Sequence, residues 1–237
     1  MCFALVEEAR PFERRIRGDR EVAVLVTGMG RRNAEASVRR ALSARRPGLV
    51  LTCGFAGGLD PTLGHGTVVF ETDDAEEVSP GSASGPRSQL VPASWPLPAG
   101  TAGAPGRFEE RLEAAGARRG RFHCADRIAV TTAEKRALRS ATGAEAVEME
   151  SGAIRAVCHA AGIPCVTVRV ISDPADEDLP LDFNRLMTPD QRLDSAKLAL
   201  ALLKSPGKLG ALRRLQRHSQ ASAEKLARVV ATVLAVG

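Results

Sequence analysis

Four segments of this sequence carry side chains able to move a proton or hold a polar ligand. Ala146–Ile154, AVEMESGAI, puts Met149 and Glu150 just before an apolar helical stripe. Val168–Asp176, VRVISDPAD, ends an apolar run in Ser172 and Asp173 and carries Arg169 within it. Thr52–Val69, TCGFAGGLDPTLGHGTVV, carries Phe55, Ala56 and Gly57 in a glycine-rich turn. Val26–Ala34, VTGMGRRNA, is a second glycine turn. A carboxyl group at such a turn can donate or accept a proton when burial moves its pKa toward neutrality. Each segment also has a plain structural reading. The glycines could close tight turns, and Glu150 could be an acid favoured by a helix N-terminus. Asp173 before Pro174 could cap a helix. An arginine in an apolar strand needs a partner, and Glu150 is the expected one.

The elements that must position these residues alternate between two periods. Cys2–Val6, Val22–Thr27, Leu49–Cys53, Val68–Phe70 and Cys165–Ile171 are short apolar runs, which predict buried strands. A helix is expected to start at Glu7 and Glu8. Ala34, Val38, Ala41 and Leu42 mark one helix face, and Ala153, Ile154, Val157 and Ala160 mark another, stopped by Gly162 and Pro164. Strands alternating with helices predict an α/β domain with a largely parallel sheet. Residues 79–106 are rich in Gly, Pro, Ser and Ala and read as a long excursion, with a short strand around Gln89–Val91. After 178 comes a helical extension over 179–237, in which Leu209, Leu212 and Leu215 and then Leu226, Val229, Val230, Val233 and Leu234 repeat at helical spacing.

Charge separates the two parts. Lys204–Arg228 holds seven Lys and Arg against Glu224 alone, which leaves 26 basic and 27 acidic residues elsewhere. The net charge of +5 therefore belongs to the extension and argues little for nucleic acid. With no Tyr, one Trp and seven Phe, the chain is poorly equipped to stack single-stranded bases. Five cysteines without a CxxC pair predict neither a disulfide framework nor a zinc site, so neither metal nor organic cofactor is expected. The N-terminus lacks the basic start of a signal peptide, and a cytoplasmic setting is expected.

Taken in order, the AGGL turn, the EME segment and the ISD-x-AD segment resemble the nucleoside phosphorylase/nucleosidase superfamily from about residue 2 to 178. The resemblance implies a three-layer αβα sandwich with a mixed, largely parallel central sheet, assembled as a homodimer or larger oligomer. It implies that Glu150 binds ribose hydroxyls, Met149 packs on the sugar and Asp173 protonates a departing purine. Phosphorylases of this superfamily carry Arg and Ser in an R-x-G-S turn, whereas Thr52, Cys53, Gly54 and Phe55 stand here. A phosphate dianion without cationic partners is costly to bury.

ALVEEARPF instead is similar to the nucleosidase branch, in which a Glu, matching Glu8 rather than Glu7, activates water. Methylthioadenosine/S-adenosylhomocysteine nucleosidases place a Phe against adenine where this chain has Ile128, followed by Ala129. The extension from Leu179 to Leu226 resembles hopanoid-associated nucleosidases, which release adenine from an adenosyl lipid. That likeness suggests peripheral contact of the basic extension with an anionic membrane, and the alternative is an extension packed on its own domain or on a dimer mate. The expectation is a nucleosidase acting on an adenosyl compound. A phosphate-dependent phosphorylase and a non-catalytic nucleoside- or lipid-binding protein are the alternatives. A dinucleotide-binding oxidoreductase would need a third glycine that GMGRRN lacks.

Overall fold

In the computed structural model, which describes residues 1–16, 21–72 and 105–235, the apolar runs join in one mixed sheet of eight strands. The excursion over 79–106, with its expected strand at Gln89–Val91, falls outside the described residues except for its last two positions. Strands β1 (Cys2–Phe3), β2 (Leu25–Val26), β3 (Val50–Gly58) and β8 (Cys165–Asp173) run parallel in the order β2-β1-β3-β8. β4 (Val68–Thr72) lies antiparallel to β8 and carries β5 (Arg118–Arg119) on its outer edge. β7 (Ala146–Glu148) pairs antiparallel with the end of β3 and parallel with β6 (Phe122–Cys124).

Helices cover both faces, because strand alternation sends apolar side chains to each. On one face Leu51 and Cys53 of β3 and Val166, Val168 and Val170 of β8 meet three helices, α1 (Val6–Arg15), α3 (Pro105–Ala114) and α8 (Lys208–Ala235). Leu226, Val229, Val230 and Val233 of α8 belong to this core, so the end of the basic extension is an integral part of the domain's packing. Glu224 of α8 pairs with Arg14 and Arg15 of α1. On the opposite face Val50 and Cys165 meet α2 (Arg31–Ala44) and α5 (Ser151–Ala160) through Ala34, Val38, Ile154, Val157 and Cys158. The helical stripe thus turns inward at Cys158, and Ala160 is exposed.

The first strands are shorter than their apolar runs. β1 stops at Phe3 because Leu5 already begins α1, its N–H donating to Glu8 Oε2 at 2.9 Å. β2 pairs only where β1 exists. β3 runs five residues past the apolar stretch that marked it, because Gly54–Gly57 keep pairing with β8 and Gly58 pairs with β7. Helices α4 (Thr132–Thr142), α6 (Phe183–Leu186) and α7 (Ser195–Lys204) are the other helices among the described residues.

Candidate active site

Because β1, β3 and β8 are parallel, their carboxyl ends open on the same edge, where open α/β sheets bind ligands. Cys2 and Phe3 align with Thr52 and Cys53, so the chain leaving β1 enters α1 beside Gly54. Glu8 points inward there and is buried, while Glu7 is exposed. One Glu8 oxygen accepts from Leu5 N–H and the other from Phe55 N–H at 2.8 Å. Burial pushes the Glu8 carboxyl up to about 7, against the opposing pull of the Arg169 guanidinium and both N–H donors. A β-carbon at Gly54, whose φ is +149°, would meet Arg169 Nη1 at 2.6 Å and Glu8 Oε1 at 2.7 Å. The missing side chain is what lets these two charged groups approach each other.

Arg169 sits at the centre, fully buried, with Nη2 2.6 Å from Glu148 Oε2 and 3.6 Å from Glu150 Oε2. The expected Glu150 pair is therefore the longer contact, and Glu148 is the principal partner. Arg169 also donates to Thr52 Oγ1 and the Cys53 carbonyl. Glu148 accepts from Ser151 Oγ and from the N–H groups of Glu150 and Ser151. Burial raises the Glu148 carboxyl, but Arg169 and these donors outweigh it and hold the group below its ordinary range.

With Arg169 neutralised by Glu148, Glu150 is left for another task. It occupies the N-cap position of α5 yet makes no cap bond with its side chain, which reaches across to accept from Gly30 N–H at 2.7 Å. Burial raises its carboxyl, partly offset by Arg169. The second glycine turn is thus a support for Glu150. Gln191 lies over it with φ +56°, its buried Oε1 without a hydrogen-bond partner among the described residues. A β-carbon on Gly30 would collide with that amide.

Asp173 closes the other end, paired in register with Gly57 and three residues farther along β3 than Gly54, roughly 10 Å away. No helix starts at Pro174, so Asp173 has no cap to make. Its Oδ1 accepts from Ser172 Oγ at 2.6 Å, and its Oδ2 lies 2.8 Å from Lys135 Nζ. Burial raises the Asp173 carboxyl in spite of Lys135. A side chain on Gly57 would press on Asp173 Oδ2 at 3.1 Å.

Met149, Ala56, Ser172 and Ala129 are buried and Phe55 partly so. Ile128 is half-buried, and its peptide N–H and C=O are both bonded by the Asn184 side chain at 2.9 Å.

The sequence reading missed Glu148, Lys135, Asn184 and Gln191. Acids at 148 and 150 were both visible in AVEMESG, but only the tertiary structure tells which one Arg169 takes. Lys135 left a faint signal. It sits at the start of α4, where a cation opposes the helix dipole, just after the Thr131–Glu134 capping box. It is fully buried and also donates to the carbonyls of Pro174 and Glu177.

Comparison with known proteins agrees with this architecture. The family model described as Phosphorylase superfamily matches residues 6–204. A 5'-methylthioadenosine/S-adenosylhomocysteine nucleosidase from Glaesserella parasuis is 29% identical over 207 residues, 77% of this chain and 80% of that protein. Among solved structures, futalosine hydrolase of Helicobacter pylori superposes with a TM-score of 0.65 at 16% identity, covering 100% of this chain and 96% of that one. The 5'-methylthioadenosine/S-adenosylhomocysteine nucleosidase of the same organism, bound to butyl-thio-DADMe-Immucillin-A, gives 0.66 at 17% identity, covering 100% and 97%.

Proposed function

The chain belongs to the phosphorylase superfamily, and we propose that it is a purine nucleosidase, hydrolysing the N-glycosidic bond of an adenosyl compound to adenine and a ribosyl product. The observation that carries this reading is the buried Glu8 carboxylate clasped above Gly54 by the N–H groups of Leu5 and Phe55. Glu148 and Glu150 stand on the same guanidinium. A phosphate dianion brought here would face carboxylates, whereas a water molecule would find a base of pKa about 7, near the working pH that suits general-base catalysis.

In this mechanism Asp173, whose carboxyl is raised by burial, acts as the general acid that donates to N7 of the purine. The C1'–N9 bond breaks with its electron pair leaving on the base. Glu8 takes a proton from water, whose oxygen bonds to C1'. Glu150 accepts from ribose hydroxyls and offsets the positive charge growing on the sugar, with Met149 packed against the ring. Phe55, Ala56, Gly57 and Ser172 line the cleft, and Ile128 and Ala129 flank the base. Arg169 is a positioning residue that orders the acids.

The test is a panel of adenosyl compounds assayed for free adenine with and without phosphate. Adenine release at the same rate without phosphate, with a free ribosyl sugar, is the expected result. Ribose 1-phosphate would assign a phosphorylase, and binding without turnover a carrier.

A finer reading has an observation of its own. Helix α7, SAKLALALLK, buries none of its side chains, with Leu203 80% and Leu200 52% exposed. Lys197, Lys204 and Lys208 flank these leucines. We propose that this face rests on the anionic inner surface of a membrane and that the adenosyl substrate is lipid-linked, as in adenosylhopane, for a cytoplasmic, homodimeric enzyme. Each cation near such a surface contributes about 1 kcal/mol. Deleting the extension cannot test this, because α8 belongs to the core. Co-sedimentation of the Leu200→Glu/Leu203→Glu variant with anionic vesicles does. Wild type should bind at low salt and the variant should not. Absence of wild-type binding would remove the membrane, and a variant that only changes mass in light scattering would assign the face to a second copy.

A further inference from the structure

Outside the cleft, three chain segments bring His65, Glu177 and His218 together, with one ligand atom of each within 4.8 Å of the others. His65 stands in the loop between β3 and β4, Glu177 follows β8, and His218 projects from α8. His65 Nδ1 lies 2.8 Å from the Ser172 carbonyl. A carbonyl can only accept, so Nδ1 carries the hydrogen and the Nε2 lone pair faces outward. That lone pair meets Glu177 Oε2 at 2.7 Å and His218 Nδ1 at 3.1 Å. Glu177 is an acceptor too, so a proton or a metal ion must lie between it and Nε2, and His218 Nδ1 stands close enough to be a second nitrogen ligand.

We propose that His65 Nε2, His218 Nδ1 and Glu177 Oε2 form a site for a divalent transition-metal ion, zinc by preference. Two imidazoles and a carboxylate are a zinc donor set, and water would fill the fourth tetrahedral position. The His65 Nδ1–H bond to a backbone carbonyl is the outer contact that fixes a metal-binding tautomer. Tetrahedral zinc with bonds of about 2.0–2.1 Å holds its ligand atoms about 3.4 Å apart. Small rotations of the exposed Glu177 and His218 side chains would bring the spacings to that value. No cysteine is involved.

The ion would act as a clamp on the segment carrying the catalytic acid. Ser172, whose carbonyl holds His65, donates its hydroxyl to Asp173. Glu177, beside the ion, accepts Lys135 Nζ through its own carbonyl. His218 belongs to α8, so a bound ion ties the extension to the sheet edge at a point outside its hydrophobic contacts with the body. The ion touches none of the reacting atoms, so hydrolysis does not require it.

The experiment uses the full chain without a polyhistidine tag, freed of metal and titrated with zinc chloride by calorimetry and thermal melting, then with cobalt(II) by visible absorption. The expected result is one ion per chain, a Tm that rises with zinc, and the intense d–d bands of low-coordinate cobalt without a thiolate charge-transfer band. His218→Ala and Glu177→Gln should each weaken zinc binding at least tenfold, and His218→Ala should leave metal-free adenine release unchanged. A Tm insensitive to zinc in the wild type would overturn the site. An undiminished zinc response in both variants, or a thiolate band from cobalt, would place the metal elsewhere and do the same. Since hydrolysis is measured separately, failure of the metal site leaves the nucleosidase reading standing, and the converse holds.

Discussion

Asp173 and Glu8 are both buried carboxyls, and burial raises both, but their partners give them different duties. Asp173 leans on Lys135 and Ser172. Asp173→Asn should lower kcat at least about 100-fold, within the range that general acid–base catalysis supplies. Lys135 keeps the carbonyls of Pro174 and Glu177 in that variant. Its urea midpoint should therefore fall less than that of Lys135→Met, which leaves the Asp173 carboxyl and two carbonyls without their donor. Unchanged turnover in Asp173→Asn would remove this residue from the reaction.

Glu8 offers a second measurement. Its folded pKa of about 7 lies above the ordinary 4.5, so its contribution to stability is fully present below pH 4.5 and is lost as pH rises through 7. Such a shift corresponds to about 3 kcal/mol. Glu8→Gln does not titrate, and should gain that much on wild type across this window in urea unfolding, while adenine release drops at least about 100-fold. A stability difference flat with pH would mean that Glu8 is ionised throughout.

At the scale of elements, the register of β1, β3 and β8 gathers the cleft, and Gly54 is where it is tightest. Gly54→Ala puts a methyl group within 2.7 Å of both Arg169 and Glu8 at a φ of +149°. It should cost about 3 kcal/mol or more, since strain and a broken buried ion network act together. Near-wild-type unfolding would show that Arg169 can move aside. Loops rather than strands deliver the remaining pieces. The turn at Gly28–Gly30 holds Glu150, and the residues between α6 and α7 lay Gln191 across it.

For the whole molecule, the basic extension has two halves with different physics. From Ser222 to Val233 it is core, packed on α1, α3 and the sheet. From Ser195 to Arg217 it is largely exposed and cationic. Leu226→Ala should destabilise the entire domain by about 2–5 kcal/mol, as for other buried leucines, and lower adenine release only in proportion to the folded fraction. A loss under 1 kcal/mol would make α8 an appendage rather than part of the core. No helix among the described residues is long and apolar enough to cross a membrane, so lipid contact through α7 would be peripheral.

Periodicity and local chemistry carried the reading a long way. Apolar runs at 2–6, 22–27, 49–53, 68–70 and 165–171 located strands, and the candidate acids Glu150, Asp173 and Glu8 came from the resemblance of the EME, ISD-x-AD and ALVEEARPF segments to a known family. These are local properties, written within a few residues. Which of two neighbouring acids turns inward at Glu7 and Glu8, and whether Arg169 takes Glu148 or Glu150, depends on strand register and helix phase. Those are set by packing between segments distant in sequence. The same holds for Lys135 reaching Asp173, Gln191 covering Gly30, and His65, Glu177 and His218 meeting from three segments. Nothing in the local spacing of those residues marks the encounter, because it is the sheet's parallel order and the return of α8 across its face that bring them together.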